Sequence, residues 1–179
     1  MKRIEIELRG LLNKSSYQSL KNRLDVEADF LEDDNRETYF FVIPGINFKI
    51  SNCISQNKAK IALKDGKESN SVNEEIEIQI MPEELENAKK IFNRLGFTKM
   101  NLSKQIRRNY TVRGINISLK WSQDWGYHFE IDSTISSSKN LQSRKQELEN
   151  FAKELGLTTL SNEEMQHISE KINTKHKLD

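Results

Sequence analysis

The sequence predicts an α+β fold, mainly β, organised as one domain over residues 1–179. Three observations lead there. Apolar residues recur with period two in several segments, as in strands with one apolar and one polar face. Stretches of helical period lie between the strand segments. The polar strand faces carry charges of one sign per strand, where an ordinary solvated face mixes signs and neutral polar groups.

Taken in order, residues 3–9 set Ile4, Ile6 and Leu8 against Glu5, Glu7 and Arg9. Residues 15–24 place Tyr17, Leu20 and Leu24 on one helical face behind a Ser cap. Short strands are expected at 26–32, 38–43 and 47–51. Residues 58–64 oppose Ala59, Ile61 and Leu63 to Lys58, Lys60 and Lys64, and residues 74–80 oppose Ile76, Ile78 and Ile80 to Glu75, Glu77 and Gln79. Pro82, Glu83 and Glu84 open a helix over 82–95 that stops before Gly96. Strands follow at 104–113, 115–120 and 127–132. A helix over 139–155 stops at Gly156, and Ser161 with Glu164 has the spacing of a capping box for a last helix over 161–174.

Composition narrows the partners. Twenty-eight Lys and Arg against 27 Asp and Glu give a net charge of +1, so a generic basic nucleic-acid binder is not expected. Cys53 is the single cysteine, which leaves no intrachain disulfide and no Cys/His cluster for structural zinc. No apolar run approaches the roughly 18 residues of a membrane span. The opening MKRIEIELRG alternates in charge and lacks the apolar block of a secretion signal, so a cytoplasmic protein with no membrane partner is expected.

The polar faces carry the chemistry. Glu5 with Glu7, Glu75 with Glu77, and Glu130 with Asp132 are carboxylates at i and i+2, while Lys58, Lys60 and Lys64 form an all-basic face. Like charges about 7 Å apart on one strand repel modestly. Neighbouring strands of opposite sign, divalent cations or a polyanion would offset that repulsion. If such strands curl with their polar faces inward, the carboxylates suit Mg²⁺ or Mn²⁺, and the Lys and Arg suit phosphoryl oxygens.

In this order the segments resemble the CYTH superfamily of class IV adenylyl cyclases, thiamine triphosphatases and related triphosphate tunnel metalloenzymes. Glu5-Ile-Glu7-Leu-Arg9 resembles its E-x-E-x-K signature, and Glu37-Thr-Tyr39-Phe40-Phe41 its first aromatic strand. Phe48-Lys49-Ile50-Ser51 and Ile61-Ala-Leu63-Lys64 are similar to its basic strands, and Glu75-Ile-Glu77 to its second acidic strand. Leu95-Gly96-Phe97, Arg107-Arg108-Asn109-Tyr110 and Gly126-Tyr-His-Phe-Glu130-Ile-Asp132 complete the set, which spans residues 3–133. Helices over 139–175 extend beyond it. Arg9 stands where the family usually has Lys, Lys49 where it has Arg, and Lys120 where many members carry an acidic residue.

The resemblance implies a closed antiparallel β-barrel tunnel of about eight strands, with a polar lumen and flanking helices. It implies Mg²⁺ or Mn²⁺ held by Glu5, Glu7, Glu75, Glu77, Glu130 and Asp132, and a triphosphate held by Arg9, Lys49, Lys64 and Arg107. Alternation adds Lys60 to the phosphate side, and Glu5, Glu7, Arg9 and Lys64 form the expected catalytic set. The expected reaction is metal-dependent hydrolysis of tripolyphosphate, thiamine triphosphate or a nucleoside triphosphate. An adenylyl cyclase and a non-catalytic polyphosphate or nucleotide-binding module are the alternatives, with a monomer or homodimer as the assembly.

Of the remaining candidates, His128 shares a face with Glu130 and reads as a polar filler more than a proton relay. Cys53 is expected in a loop without a base to activate it. Trp121 and Trp125 bracket a turn and read as a packed hairpin end, and Arg107, Arg108 and Arg113 around Tyr110 lack an RNA-recognition motif. His167 and His176 are expected on the surface of the last helix.

Overall fold

The computed structural model describes residues 4–43, 46–65 and 72–178. Nine strands form one antiparallel sheet: β1 (Ile4–Leu11), β2 (Asp29–Asp33), β3 (Arg36–Ile43), β4 (Ile46–Cys53), β5 (Lys58–Asp65), β6 (Val72–Ile80), β7 (Met100–Val112), β8 (Ile115–Ser122) and β9 (Gly126–Ile135). Four α-helices flank it: α1 (Lys14–Glu27), α2 (Leu85–Arg94), α3 (Leu141–Glu154) and α4 (Asn162–Leu178). Among the described residues, no helix is long and apolar enough to cross a membrane.

The strands lie in the order β2-β7-β3-β4-β5-β6-β1-β9-β8, and the long β7 also pairs β8. The sheet therefore curls back toward itself as a half-barrel, with β2 added beside β7. At one seam, among the described residues, Ile4–Ile6 of β1 pair β6 at Val72–Glu74. At the other seam β7 divides its length, giving Met100–Gln105 to β3 and Gln105–Val112 to β8. The α+β class and the flanking helices are as expected; the closed tunnel is coarser in fact, a curled half-barrel.

Alternation decides what faces each side. On β1, β8 and β9 the outward residues Ile6, Leu8, Ile117, Leu119, Phe129 and Ile131 pack with Leu20 and Leu24 of α1 and Leu148, Phe151 and Ala152 of α3. Ile6, Ile117 and Ile131 have no exposed surface, and burying each side chain contributes about 1.5–3 kcal/mol. A second cluster joins Phe41, Ile50 and Ala59 to Leu85, Ala88 and Phe92 of α2, with Phe48 stacked on Phe41 at 4.8 Å between ring centroids. Outer faces covered by helices leave the charged faces on the concave side.

Ser161 N donates to Glu164 Oε2 at 2.7 Å, and Glu164 N donates to Ser161 Oγ at 3.2 Å, the expected capping box. The cap of α1 is Asn13, two residues before Ser15, and its Oδ1 accepts from Ser16 N at 2.8 Å. Because α1 continues through Val26 and Glu27, the second strand, expected over 26–32, runs over Asp29–Asp33 instead. Cys53 is the buried last residue of β4 rather than a loop residue. Gly10 marks a close approach of chains, since a Cβ there would meet the Phe129 ring and the Thr158 carbonyl. Beside it Leu160 N donates to Arg9 O at 2.7 Å, so the segment between α3 and α4 is tied to β1.

Candidate functional site

The concave side of the sheet forms one cleft, and the parity of each strand supplies its lining. β1 contributes Glu5, Glu7 and Arg9, and β9 contributes His128, Glu130 and Asp132. β5 and β6 contribute Lys60, Lys64 and Glu75, and β4 contributes Asn47, Lys49 and Ser51. β3 brings Arg36, Thr38 and Phe40, β7 brings Gln105 and Arg107, β8 brings Lys120, and the β8–β9 turn brings Trp125.

Cross-strand register places opposite charges side by side. Arg9 pairs Glu130 across the β1–β9 ladder, and Lys64 pairs Glu75 across β5–β6. Other pairs reach over an intervening strand. Lys64 Nζ on β5 lies 2.5 Å from Glu5 Oε2 and 3.3 Å from Glu7 Oε2 on β1, spanning β6. Lys49 Nζ on β4 lies 4.0 Å from Glu75 Oε1, spanning β5. Adjacent strands sit about 4.8 Å apart, so such contacts need a concave face that tilts side chains toward one another. Arg9 also bonds Glu7 and lies 3.0 Å from Glu130, and Lys120 is ion-paired with Glu130.

These contacts set the protonation of the cleft. Burial would raise the Glu7 carboxyl, but Arg9, Lys64 and Lys120 outweigh it and hold Glu7 well below the usual carboxylate range. Burial opposes the Lys64 charge, yet Glu7, Glu5 and Glu75 together keep its pKa above the ordinary lysine value. Lys49 is pulled down to about 8 by burial and by the like charge of Lys64. Arg107 is pulled down to about 10 by burial and Arg36, and Lys120 falls below its usual value by burial and Arg107. His128 is held down to about 3 by burial and Lys120, so its imidazole is neutral; its Nδ1 lies 2.9 Å from the Gly126 carbonyl oxygen.

The predicted residues divide clearly. Glu5, Glu7, Arg9, Lys49, Lys60, Lys64, Glu75, Arg107, Glu130 and Asp132 all line the cleft. Glu77 does not line it; its carboxylate bonds Lys60 Nζ at 2.5 Å and Gln79 Nε2 at 2.6 Å. Lys58 is exposed at the start of β5 and stays out of the lining. Trp125 lines the cleft with the Arg9 guanidinium 5.6 Å from its ring centre, while Trp121 faces away. Arg108 is outside, paired with Asp33 at 3.1 Å and Asp25 at 3.3 Å, and Arg113 pairs with Glu154. His167 is exposed, and the His176 side chain lies outside the described residues. Arg36 was missed, although it shares parity with Thr38 and Phe40 against the apolar Tyr39 and Phe41.

For a divalent cation the fit rests on the donor set. Among the described residues no three carboxylates or imidazoles converge as a ready-made cage. Glu130 and Glu77 are each engaged by a lysine. Glu5 and Glu7 are likewise engaged, by Lys64 and Arg9, but they and Asp132 repel one another: burial and the like charges of Glu5 and Glu7 raise the Asp132 carboxyl, against a 3.2 Å hydrogen bond from Asn116. Such carboxylates suit Mg²⁺, which is commonly bound by one or two carboxylates together with substrate phosphates.

A curled antiparallel sheet with helices outside and a charged cleft inside defines the class of this protein. Its sequence matches the CYTH domain model over residues 3–165, and the chain belongs to that family. Solved structures with a similar fold include a conserved hypothetical protein of Pyrococcus furiosus, 24% identical with a TM-score of 0.72 over 89% of this chain and 99% of that one. A protein of Pyrococcus horikoshii is 22% identical, with a TM-score of 0.73 over 89% of this chain and 98% of its own. A candidate adenylate cyclase of Vibrio parahaemolyticus is 18% identical, with a TM-score of 0.69 over 92% of this chain and 93% of its own. No functionally curated protein matches the sequence.

Proposed function

We propose that this protein binds a linear triphosphate in the cleft and hydrolyses it, with Mg²⁺ or Mn²⁺ as cofactor. The observation that carries this reading is the charge balance of the lining: seven Lys and Arg side chains face five carboxylates. A cleft with an excess of two positive charges, buried among strands, favours a polyanion over a neutral ligand. Membership of the CYTH family supports the same reading.

In this proposal Arg9, Lys49, Lys60, Lys64 and Arg107 hold the phosphoryl oxygens within the cleft of the half-barrel. Glu5, Glu7 and Asp132 would hold the cation, which supplies charge neutralisation and a more acidic water when bound. The protein's own side chains do the positioning. Lys64, gripped by Glu5 and Glu7 on β1, is a fixed charge rather than a swinging one. Arg9 is fixed likewise between Glu7 and Glu130. Fixed cations directed at oxygens where charge develops lower the barrier without reorganising during the step.

An adenylyl cyclase is the second reading, supported by the description of the Vibrio relative and by the aromatic Trp125 and Phe40 in the cleft. The test incubates purified protein with tripolyphosphate, thiamine triphosphate and ATP, each with Mg²⁺ or Mn²⁺. Phosphate release supports the hydrolase. Pyrophosphate with cyclic AMP transfers the assignment to the cyclase, and tight binding without turnover transfers it to a non-catalytic module.

A further inference from the structure

The cleft changes character along its length. On β9 the lining runs from His128 through Glu130 to Asp132, in steps of about 7 Å. Asp132 pairs Glu7 across the β1–β9 ladder, so the carboxylates lie away from the β8–β9 turn. At the turn itself three uncharged side chains gather on neighbouring strands: Gln105, Trp125 and His128. The register brings them together, because Gln105 pairs Ser122, Ser122 pairs Gly126, and Lys120 in the next inward row pairs His128.

Each of the three is positioned but not used up. The buried Ser122 hydroxyl accepts from Trp125 N at 3.1 Å, which fixes the turn that carries the half-buried indole. His128 Nδ1 lies 2.9 Å from the Gly126 carbonyl oxygen. A carbonyl only accepts, so Nδ1 holds the ring proton, and the neighbouring charges of Lys120 and Arg9 disfavour a second one. The lone pair is therefore on Nε2. The imidazole and indole ring centres are 5.7 Å apart at 36°. Among the described residues nothing hydrogen-bonds His128 Nε2, the Gln105 amide or the Trp125 indole N–H. A lone pair repels phosphoryl oxygens and accepts an N–H, while an indole face stacks on a flat ring. These groups suit the uncharged part of a ligand, not its phosphates.

We propose that Gln105, Trp125 and His128 form a subsite for a planar, amine-bearing heterocycle joined to the triphosphate. Trp125 stacks on the ring, His128 Nε2 accepts from its amine, and the Gln105 amide offers a donor and an acceptor to the ring edge. This rests on the triphosphate reading and deepens it, because it makes the substrate an organic triphosphate and not inorganic tripolyphosphate. Adenine and the aminopyrimidine of thiamine share the required chemistry. His128 is a substrate-binding residue in this account and moves no proton.

The test uses imidotriphosphate, a hydrolysis-resistant triphosphate with imido bridges, and its adenosine and thiamine esters, each with Mg²⁺ and the full-length protein in titration calorimetry. One ester should bind about tenfold or more tightly than imidotriphosphate itself, and the tighter of the two identifies the heterocycle. The same ester without its exocyclic amine should lose about tenfold, and His128→Leu should erase that difference. Trp125→Leu should cost the preferred ester about tenfold more affinity than it costs imidotriphosphate, a split that a folding defect does not produce. Exposed Lys104→Ala serves as the control. In wild-type protein, the Trp125 indole N–H resonance should shift with the preferred ester more than with imidotriphosphate, while that of Trp121, outside the cleft, stays in place. This readout needs no variant to fold. Equal affinity for imidotriphosphate and both esters, or an unmoved Trp125 resonance, would overturn the subsite. An undiminished preference for the amine in His128→Leu would overturn the role of Nε2. Absence of binding by all the analogues would instead remove the triphosphate reading, and the subsite with it.

Discussion

Lys64 Nζ bridges Glu5 and Glu7, at 2.5 and 3.3 Å, although 59 and 57 residues separate them in the chain. The contact crosses β6 and brings the two sides of the β1–β6 seam together on the inner surface. Glu7 is buried and also bonds Arg9. Removing its charge therefore leaves two cations with less compensation, the costly way to break a buried pair.

Glu7→Gln should accordingly lower stability at neutral pH by about 2–4 kcal/mol, and Glu5→Gln by less, because Glu5 is more exposed. The Glu7 carboxyl is depressed below its unfolded value of 4.5. Its contribution is complete above pH 4.5 and is lost as acid titrates through the folded value. Denaturant unfolding at pH 7 and pH 4 measures this. Equal stability of Glu7→Gln and wild type at pH 7 would show the pair is dispensable.

His128 gives a second acid window, which opens at higher pH than that of Glu7. Its folded pKa of about 3 lies below the ordinary 6.5, so the unfolded chain takes up a proton first. Stability should fall as pH drops from 6.5 toward 3, and His128→Gln should flatten that slope. Thermal midpoints at intervals across this range decide it. Identical slopes for the two proteins would mean the imidazole is protonated in the fold.

Lys49 sets an alkaline limit on binding. With its pKa at about 8, the side chain is charged below that pH and increasingly neutral above it. Affinity for imidotriphosphate should be full below pH 8 and decline above it, while Lys49→Arg should abolish the decline. Calorimetry from pH 6.5 to 9.5 follows both. A break that persists unchanged in Lys49→Arg would assign it to another group.

Gly10→Ala probes the packing behind the site. The added methyl would meet the Phe129 ring and the Thr158 carbonyl, so the clamp on β1 must shift. Such overpacking should cost about 1–3 kcal/mol. An unchanged chemical-denaturation midpoint would mean the segment between α3 and α4 yields freely.

Much of this was legible because strand parity and sign segregation are local signals. Ile6 and Leu8 had to oppose Glu5 and Glu7, whichever neighbours the strand acquired. The same parity put Lys60 and Lys64 in the cleft. It failed for Lys58, which begins β5 at the edge of the cleft, and for Glu77, which lies within β6 but bonds Lys60 and Gln79 instead of lining the cleft. Arg36 escaped notice because it begins its strand amid Asn35 and Glu37, with no repeating charge to mark it. Its place beside Asp34 and Arg107 depends on how β7 is shared between β3 and β8. The extent of closure was illegible for a similar reason: it turns on how β1 meets β6, which no periodicity encodes.

The central claim is that the inward charges form one site for a triphosphate. A crystal structure of the protein grown with imidotriphosphate and Mg²⁺ tests it most directly. The account predicts the analogue inside the cleft, its phosphoryl oxygens within hydrogen-bond distance of Lys64 and Arg107. A cleft without the analogue at saturating concentration, its ion pairs undisturbed, would contradict it.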